Sequence, residues 1–152
     1  MECEEKITLA EEILERPYQI VDIFPAQVPR EGAARYVRTA RYFQEPQRLR
    51  RIYRRYAEIL LRLHCYWPMR VSFDWGGTWE EDPEPEAFAE RVENLPGNGH
   101  LRVLFLPQET LIDLDAPDTS LTVYSPEPAL WEMLEKMAAA EGFFTWQPPE
   151  EN

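Results

Sequence analysis

The spacing of hydrophobic positions changes sharply at Pro68. In residues 47–64 the apolar side chains recur every three or four residues, which predicts an amphipathic helix with one buried stripe. Directly after Pro68, residues 69–75 alternate between apolar and polar, which predicts a half-buried strand with Trp75 in the core. We therefore expect the helix to pack on the sheet that contains this strand. The buried stripe comprises Leu49, Ile52, Tyr53, Tyr56, Ile59, Leu60 and Leu63.

The rest of the chain has the patterns of short helices and strands. Asp82 is expected to cap a third helix, and Ser125-Pro126 opens the last one. Residues 35–43 fit either a strand or a helical turn. Three closely spaced strands after residue 99 predict an antiparallel meander. Besides residues 69–75, the predicted strands are 18–24, 100–107, 110–115, 120–125 and 143–147.

Length and composition place the chain among globular proteins. Its 152 residues, 44% of them hydrophobic, are enough to bury a core. The pattern predicts one α+β domain over residues 1–147, with a mostly antiparallel sheet packed by about four helices, and a disordered acidic tail at 148–152. No apolar run approaches the roughly 20 residues of a membrane span, and the acidic N-terminus is unlike a signal peptide. We therefore expect a cytoplasmic protein.

The net charge of −12 is unevenly distributed. Residues 30–62 carry ten arginines against three glutamates, or +7, whereas residues 63–152 carry four basic and eighteen acidic residues, or −14. On the polar face of the predicted helix, Arg51, Arg55 and Arg62 are candidate interaction residues. These arginines could pair with the acidic surface of the chain or its oligomer, bind an acidic protein, or bind phosphate or nucleic acid. The strongly negative total argues against nucleic acid.

Two tryptophans flank a Gly-Gly pair in the segment FDWGGTWEEDPEPE, residues 73–86. Glycine accepts positive φ readily, so Gly76-Gly77 predicts a chain reversal. This turn either folds Trp79 back into the core or leaves it outside as an aromatic anchor with an acidic rim. Return to the fold is the favoured interpretation, and Trp79 is kept as a candidate interaction residue.

No catalytic or metal-binding pattern is present in the sequence. Cys65 is expected to be a small core residue, and His100 follows a GNG segment in an exposed loop. Asp113 and Asp115 share a strand face but lack the further ligands of a calcium loop. Asp22 lies in an otherwise apolar strand, so we expect it to be buried and hydrogen-bonded, with a raised pKa. The sequence therefore predicts a non-enzymatic protein without cofactor or metal.

Two stretches resemble an uncharacterised family of small proteins from gut-type Firmicutes. They are RPYQIVDIFPAQVPREGAARYVRTARYF (16–43) and EILLRLHCYW (58–67), which lie in the first half of the chain. The resemblance implies a bacterial cytosolic protein and assigns no activity or site residue.

These observations favour a small non-enzymatic interaction domain that acts through a protein partner or its own oligomer. The alternative is a binding module for a phosphate-bearing ligand or nucleic acid, centred on the arginines of residues 30–62. Catalysis comes third, because no nucleophile and base or metal ligands can be assembled from the pattern.

Overall fold

A computed structural model describes residues 9–148. Seven strands form one sheet in the order β3-β2-β4-β5-β6-β1-β7, with every neighbouring pair antiparallel, so the predicted α+β class is confirmed. The strands are β1 (Tyr18–Asp22), β2 (Arg70–Ser72), β3 (Glu80–Glu81), β4 (His100–Phe105), β5 (Thr110–Asp115), β6 (Leu121–Tyr124) and β7 (Phe144–Trp146). The described helices are α1 (residues 9–13), α2 (Ala33–Phe43), α3 (Pro46–His64), α4 (Pro85–Glu93) and α5 (Pro128–Ala140), with a 3₁₀ turn at Arg30–Gly32.

Helices α3, α4 and α5 contribute to the main core on one face of the sheet. All seven residues of the predicted α3 stripe are buried, as its spacing requires. On the sheet side, a row of β-branched residues crosses β2, β4, β5 and β6 at directly opposed positions. Burial of this row between sheet and helices is a main source of stability. The row consists of Val71, Val103, Ile112 and Val123.

A smaller cluster covers part of the opposite sheet face. Ala10 and Ile13 of α1 pack on Leu104 and Leu111, and Trp79 packs against the same cluster. Trp79 is half-buried, so the chain does bring this indole back onto the fold. Two layers of unequal size therefore enclose the sheet.

The prediction that Trp75 belongs to the core is wrong. Alternation holds to the end of β2, and then a turn follows with positive φ at both Trp75 (60°) and Gly76 (89°). This turn breaks the two-residue period and places the indole on the face opposite α3. There it stacks on His100, with ring centroids 3.7 Å apart, and remains 61% exposed.

Two other side chains lie where the sequence did not place them. His100 is the first residue of β4, as the predicted strand 100–107 requires, but it is fully buried rather than exposed beside the GNG loop. Cys65, predicted in the core, is exposed at the C-terminal cap of α3. The buried stripe of α3 ends at Leu63, and a residue two positions later lies about 200° around the helix axis.

Three helices are capped by glutamate, in place of the predicted Asp82 cap and the predicted start of the last helix at Ser125-Pro126. Glu45, Glu84 and Glu127 each precede a proline, and their carboxylates accept hydrogen bonds from backbone N–H groups of the first turn. Proline suits the first helical position because its missing N–H has no partner there anyway. The same Glu-Pro start therefore opens α3, α4 and α5.

Residues 35–43, left open between strand and helix, belong to α2. In the described part of the chain, 9–148, no helix combines the length and apolar character needed to cross a bilayer. The predicted tail lies outside the described residues apart from Pro148.

Candidate functional site

None of the eleven residues of helix α2 is buried, although Phe43 at its end packs partly against the main core. Its apolar side chains share one side at helical spacing, while its arginines lie on the other. A stripe of this kind normally packs against a core, yet Tyr36 and Val37 are 40% and 44% exposed. The helix therefore presents apolar surface to solvent. The stripe comprises Ala33, Tyr36, Val37, Ala40 and Phe43.

A groove runs between α2 and the loop that precedes it. Two adjoining cavities, of about 260 and 330 Å³, share the lining residues Phe24, Val28, Pro29 and Tyr36. The rings of Phe24 and Tyr36 are in contact, with centroids 5.6 Å apart. Proline at positions 25 and 29 fixes φ and restricts the loop backbone. We call this surface the α2 groove.

Arginines border the α2 groove. Arg30 lines the first cavity and Arg35 the second, where Glu31 also contributes. Arg38 and Arg41 continue along the exposed side of α2. Among residues 9–148, none of these four arginines has a carboxylate within ion-pair distance. Their guanidinium groups are therefore available to an external acceptor.

Asp22 is the buried carboxylate of the first cavity. Its Oδ1 accepts hydrogen bonds from the Ile23 backbone N–H (2.7 Å) and from the Thr119 hydroxyl (3.1 Å). Burial raises the pKa of Asp22 despite these bonds. Burial and the nearby Asp22 charge also raise the pKa of Tyr36, whose hydroxyl stays a donor. The expected burial and raised pKa of Asp22 are confirmed.

Asp22→Asn is expected to raise the free energy of unfolding at pH 7 and to lose this advantage below about pH 4. The raised pKa means that folded Asp22 holds its proton more tightly than the unfolded chain does. Stability from this group is therefore lost as pH rises from about 4 through the raised pKa. Urea unfolding at both pH values measures the difference. An advantage independent of pH would contradict the assignment.

Asp74→Asn is the matched control, with the opposite sign. Hydrogen bonds from the Ser72 hydroxyl and the Thr78 backbone N–H lower the pKa of Asp74. Its contribution to stability is present above about pH 4 and is lost as pH falls through the lowered pKa. This variant should therefore be less stable than wild type at pH 7 and equal to it in strong acid.

The residues predicted from sequence do not form one site. Arg62 pairs with Glu141, its Nη2 lying 2.9 Å from Oε1. The guanidinium of Arg55 lies 5.9 Å from the ring centroid of Phe143. Arg51 is exposed on α3, with no carboxylate partner in the described part of the chain. Trp79 packs on the opposite side of the sheet. The structure therefore separates Trp79 from the three arginines.

Pairing within the chain accounts for three of the ten arginines of residues 30–62, as far as residues 9–148 are concerned. The other seven have no carboxylate within 4 Å there. The sequence left this choice open, and the structure leaves most of the positive charge exposed. The three pairs are Arg48–Glu45, Arg54–Glu93 and Arg62–Glu141.

Both ring nitrogens of His64, at the end of α3, take part in hydrogen bonds. His64 Nδ1 accepts a hydrogen bond from the Met69 backbone N–H at 3.0 Å, so Nε2 carries the proton of the neutral ring and donates to Asp82 at 2.8 Å. Neighbouring Cys65 donates to the Leu61 carbonyl. This histidine ties the end of α3 to the segments that precede β2 and follow β3. Over residues 9–148, no three His, Cys, Asp or Glu side chains are placed to hold a metal ion.

Sequence reasoning singled out Asp22 but missed Phe24 and Tyr36. The spacing of apolar residues across 33–43 was the signal that could have identified α2 as an amphipathic helix. Comparisons with protein-family models, with curated proteins and with solved structures find no match for this chain. The site is accordingly defined by its geometry.

Proposed function

We propose that this chain is a small non-enzymatic interaction domain that binds an acidic, partly apolar segment of a partner protein in the α2 groove. One observation carries the proposal. Helix α2 is amphipathic but buries none of its residues, and its arginines have no carboxylate partner in the described range 9–148. Exposed apolar surface of this kind marks interaction sites, and arginine forks bind carboxylates through paired hydrogen bonds.

The two cavities and their rim suggest how such a segment binds. Apolar side chains of the partner enter beside Phe24 and Tyr36, where they lose contact with water. Carboxylates of the partner reach Arg30 and Arg35 at the rim. Apolar anchors thus supply most of the affinity, and the arginines select acidic partners over basic ones. We place this activity in the bacterial cytoplasm, as the resemblance of residues 16–43 implies.

A protein partner agrees with the charges better than a nucleic acid does. The chain carries a net charge of −12, and residues 63–152 account for −14. A DNA duplex carries one negative charge per roughly 1.7 Å of its axis, so the acidic surface of this chain would repel the phosphates along the whole contact. A short acidic segment meets the arginines of α2 without that cost.

A different protein also fits the charges of α2 better than a second copy of this chain does. A two-fold symmetric contact through α2 would bring the arginines of two α2 helices close together, and like charges repel. A head-to-tail contact between α2 and the acidic surface avoids this repulsion but does not close into a dimer. The favoured occupant is therefore a different protein.

Selection of a phage-displayed library of random peptides on the full chain tests the proposal. We expect enrichment of peptides that combine Asp or Glu with large apolar residues. Binding of a synthetic peptide from the enriched set should weaken roughly tenfold or more in the R30E/R35E variant, because two charge-assisted contacts become repulsive. Tyr36→Ala should weaken it through the loss of apolar contact.

R51E/R55E is the matched control, since it makes the same charge change on α3. It should bind the peptide almost as wild type does. A larger loss in this control would move the site to the α3 arginines, and a selection that enriches no acidic peptides would refute the proposal. Micromolar binding of mixed-sequence DNA or RNA at about 150 mM salt would support the alternative function instead.

A further inference from the structure

The turn after β2 holds a tryptophan in an unusual setting, on the sheet face opposite α3. Trp75 has a positive φ of 60°, a region that bulky residues rarely adopt. One face of its indole lies flat on His100, with an interplanar angle of 4°, and the side chain is 61% exposed. An aromatic face is therefore presented to solvent on a rigid support.

The turn is tied to the sheet through several hydrogen bonds. Ser72 Oγ accepts from the Gly76 backbone N–H at 2.9 Å, and Arg102 Nη1 donates to the Trp75 carbonyl at 3.3 Å. Arg102 is itself held by the buried carboxylate of Asp113. The indole is thus fixed before any ligand arrives, which lowers the entropy cost of binding.

Two carboxylates neighbour the stacked residues, one next to Trp75 in the chain and the other beside His100 in space. Asp74 belongs to the same turn, and Asp115 Oδ1 lies 3.6 Å from Nε2 of His100. Both aspartates are exposed, and neither pairs with a lysine or arginine in residues 9–148. Any apolar ligand on Trp75 would have to desolvate these carboxylates, whereas a cation would be attracted by them.

We propose that Trp75, Asp74 and Asp115 form a recognition site for a cationic side chain, arginine or lysine, of a basic partner segment. The cation lies over the open face of the indole, whose ring quadrupole attracts positive charge. The two carboxylates supply the counter-charge, and His100 positions the indole from below. The site is independent of the α2 groove, which has the opposite charge preference.

The test uses the ¹⁵N-labelled full chain titrated with a nonaarginine peptide at low salt. We expect the Trp75 indole N–H resonance, assigned by its absence in Trp75→Ala, to shift on binding. Trp75→Ala should weaken binding at least about fivefold and Trp75→Phe should restore part of it, because phenylalanine keeps an aromatic face. Asp115→Asn should weaken binding as well.

Tyr66→Ala is the matched control, because Tyr66 is an aromatic residue of similar exposure, 63%, at the end of α3. It should leave the affinity unchanged, and R30E/R35E should not weaken it, so failure of this site and of the α2 groove can be told apart. Equal binding by wild type and Trp75→Ala would show general attraction to an acidic surface and overturn the proposal. A Trp75 resonance that does not move would overturn it too.

Discussion

Leu60→Asp is expected to lower the free energy of unfolding by about 4 kcal/mol. Leu60 is fully buried in the α3 stripe, among apolar side chains of the main core. An ionised carboxylate there has no partner and also removes buried apolar area. Urea denaturation followed by far-UV circular dichroism at neutral pH measures the loss.

Arg51→Asp provides the control on the same helix. It introduces the same residue on the exposed side of α3, so its effect should stay below about 1 kcal/mol. If both variants unfolded at the same urea concentration, Leu60 could not be facing the core.

Asp113→Ala is expected to cost about 3–5 kcal/mol. Asp113 and Arg102 are directly opposed on β5 and β4, with Oδ1 3.1 Å from Nε and Oδ2 3.4 Å from Nη2. Both side chains are only 10% exposed. Removal of the carboxylate leaves a buried guanidinium without counter-charge, and thermal or urea unfolding should show the loss directly.

Glu141→Ala at the exposed Arg62–Glu141 pair is the comparison, and it should cost less than about 1 kcal/mol. The double variant R102M/D113L should recover most of the loss, because apolar residues of similar volume need no counter-charge. Equal losses of unfolding free energy in Asp113→Ala and Glu141→Ala would mean that burial does not set the strength of the Arg102–Asp113 pair.

Much of the fold could be predicted because periodicity is a local property. The α3 stripe, the meander of β4, β5 and β6, and the antiparallel α+β class all follow from the spacing of apolar residues. The helix starts were less accurate. Asp82 and Ser125 have good capping chemistry, but the prolines at 85 and 128 set the first helical residue two to three positions later.

The candidate site was predicted only in part. An acidic residue within an apolar strand identified Asp22 as buried, and its hydrogen bond to Thr119 then depends on a residue 97 positions away. Segment 33–43 contains the amphipathic pattern of α2, but a pattern shows which side is apolar and not whether anything covers it. Tyr36 therefore became a candidate only once its surroundings were known.

Sequence alone determined the type of most elements, the α3 stripe and the charge imbalance between residues 30–62 and the rest of the chain. Tertiary structure alone decided that α2 buries none of its residues, that seven of these ten arginines have no carboxylate partner in the described residues, and that Trp75 stacks on His100. The physical reason is the separation along the chain of the residues that interact. Helix and strand periods arise between near neighbours, whereas burial, ion pairing and stacking depend on segments that only folding brings together.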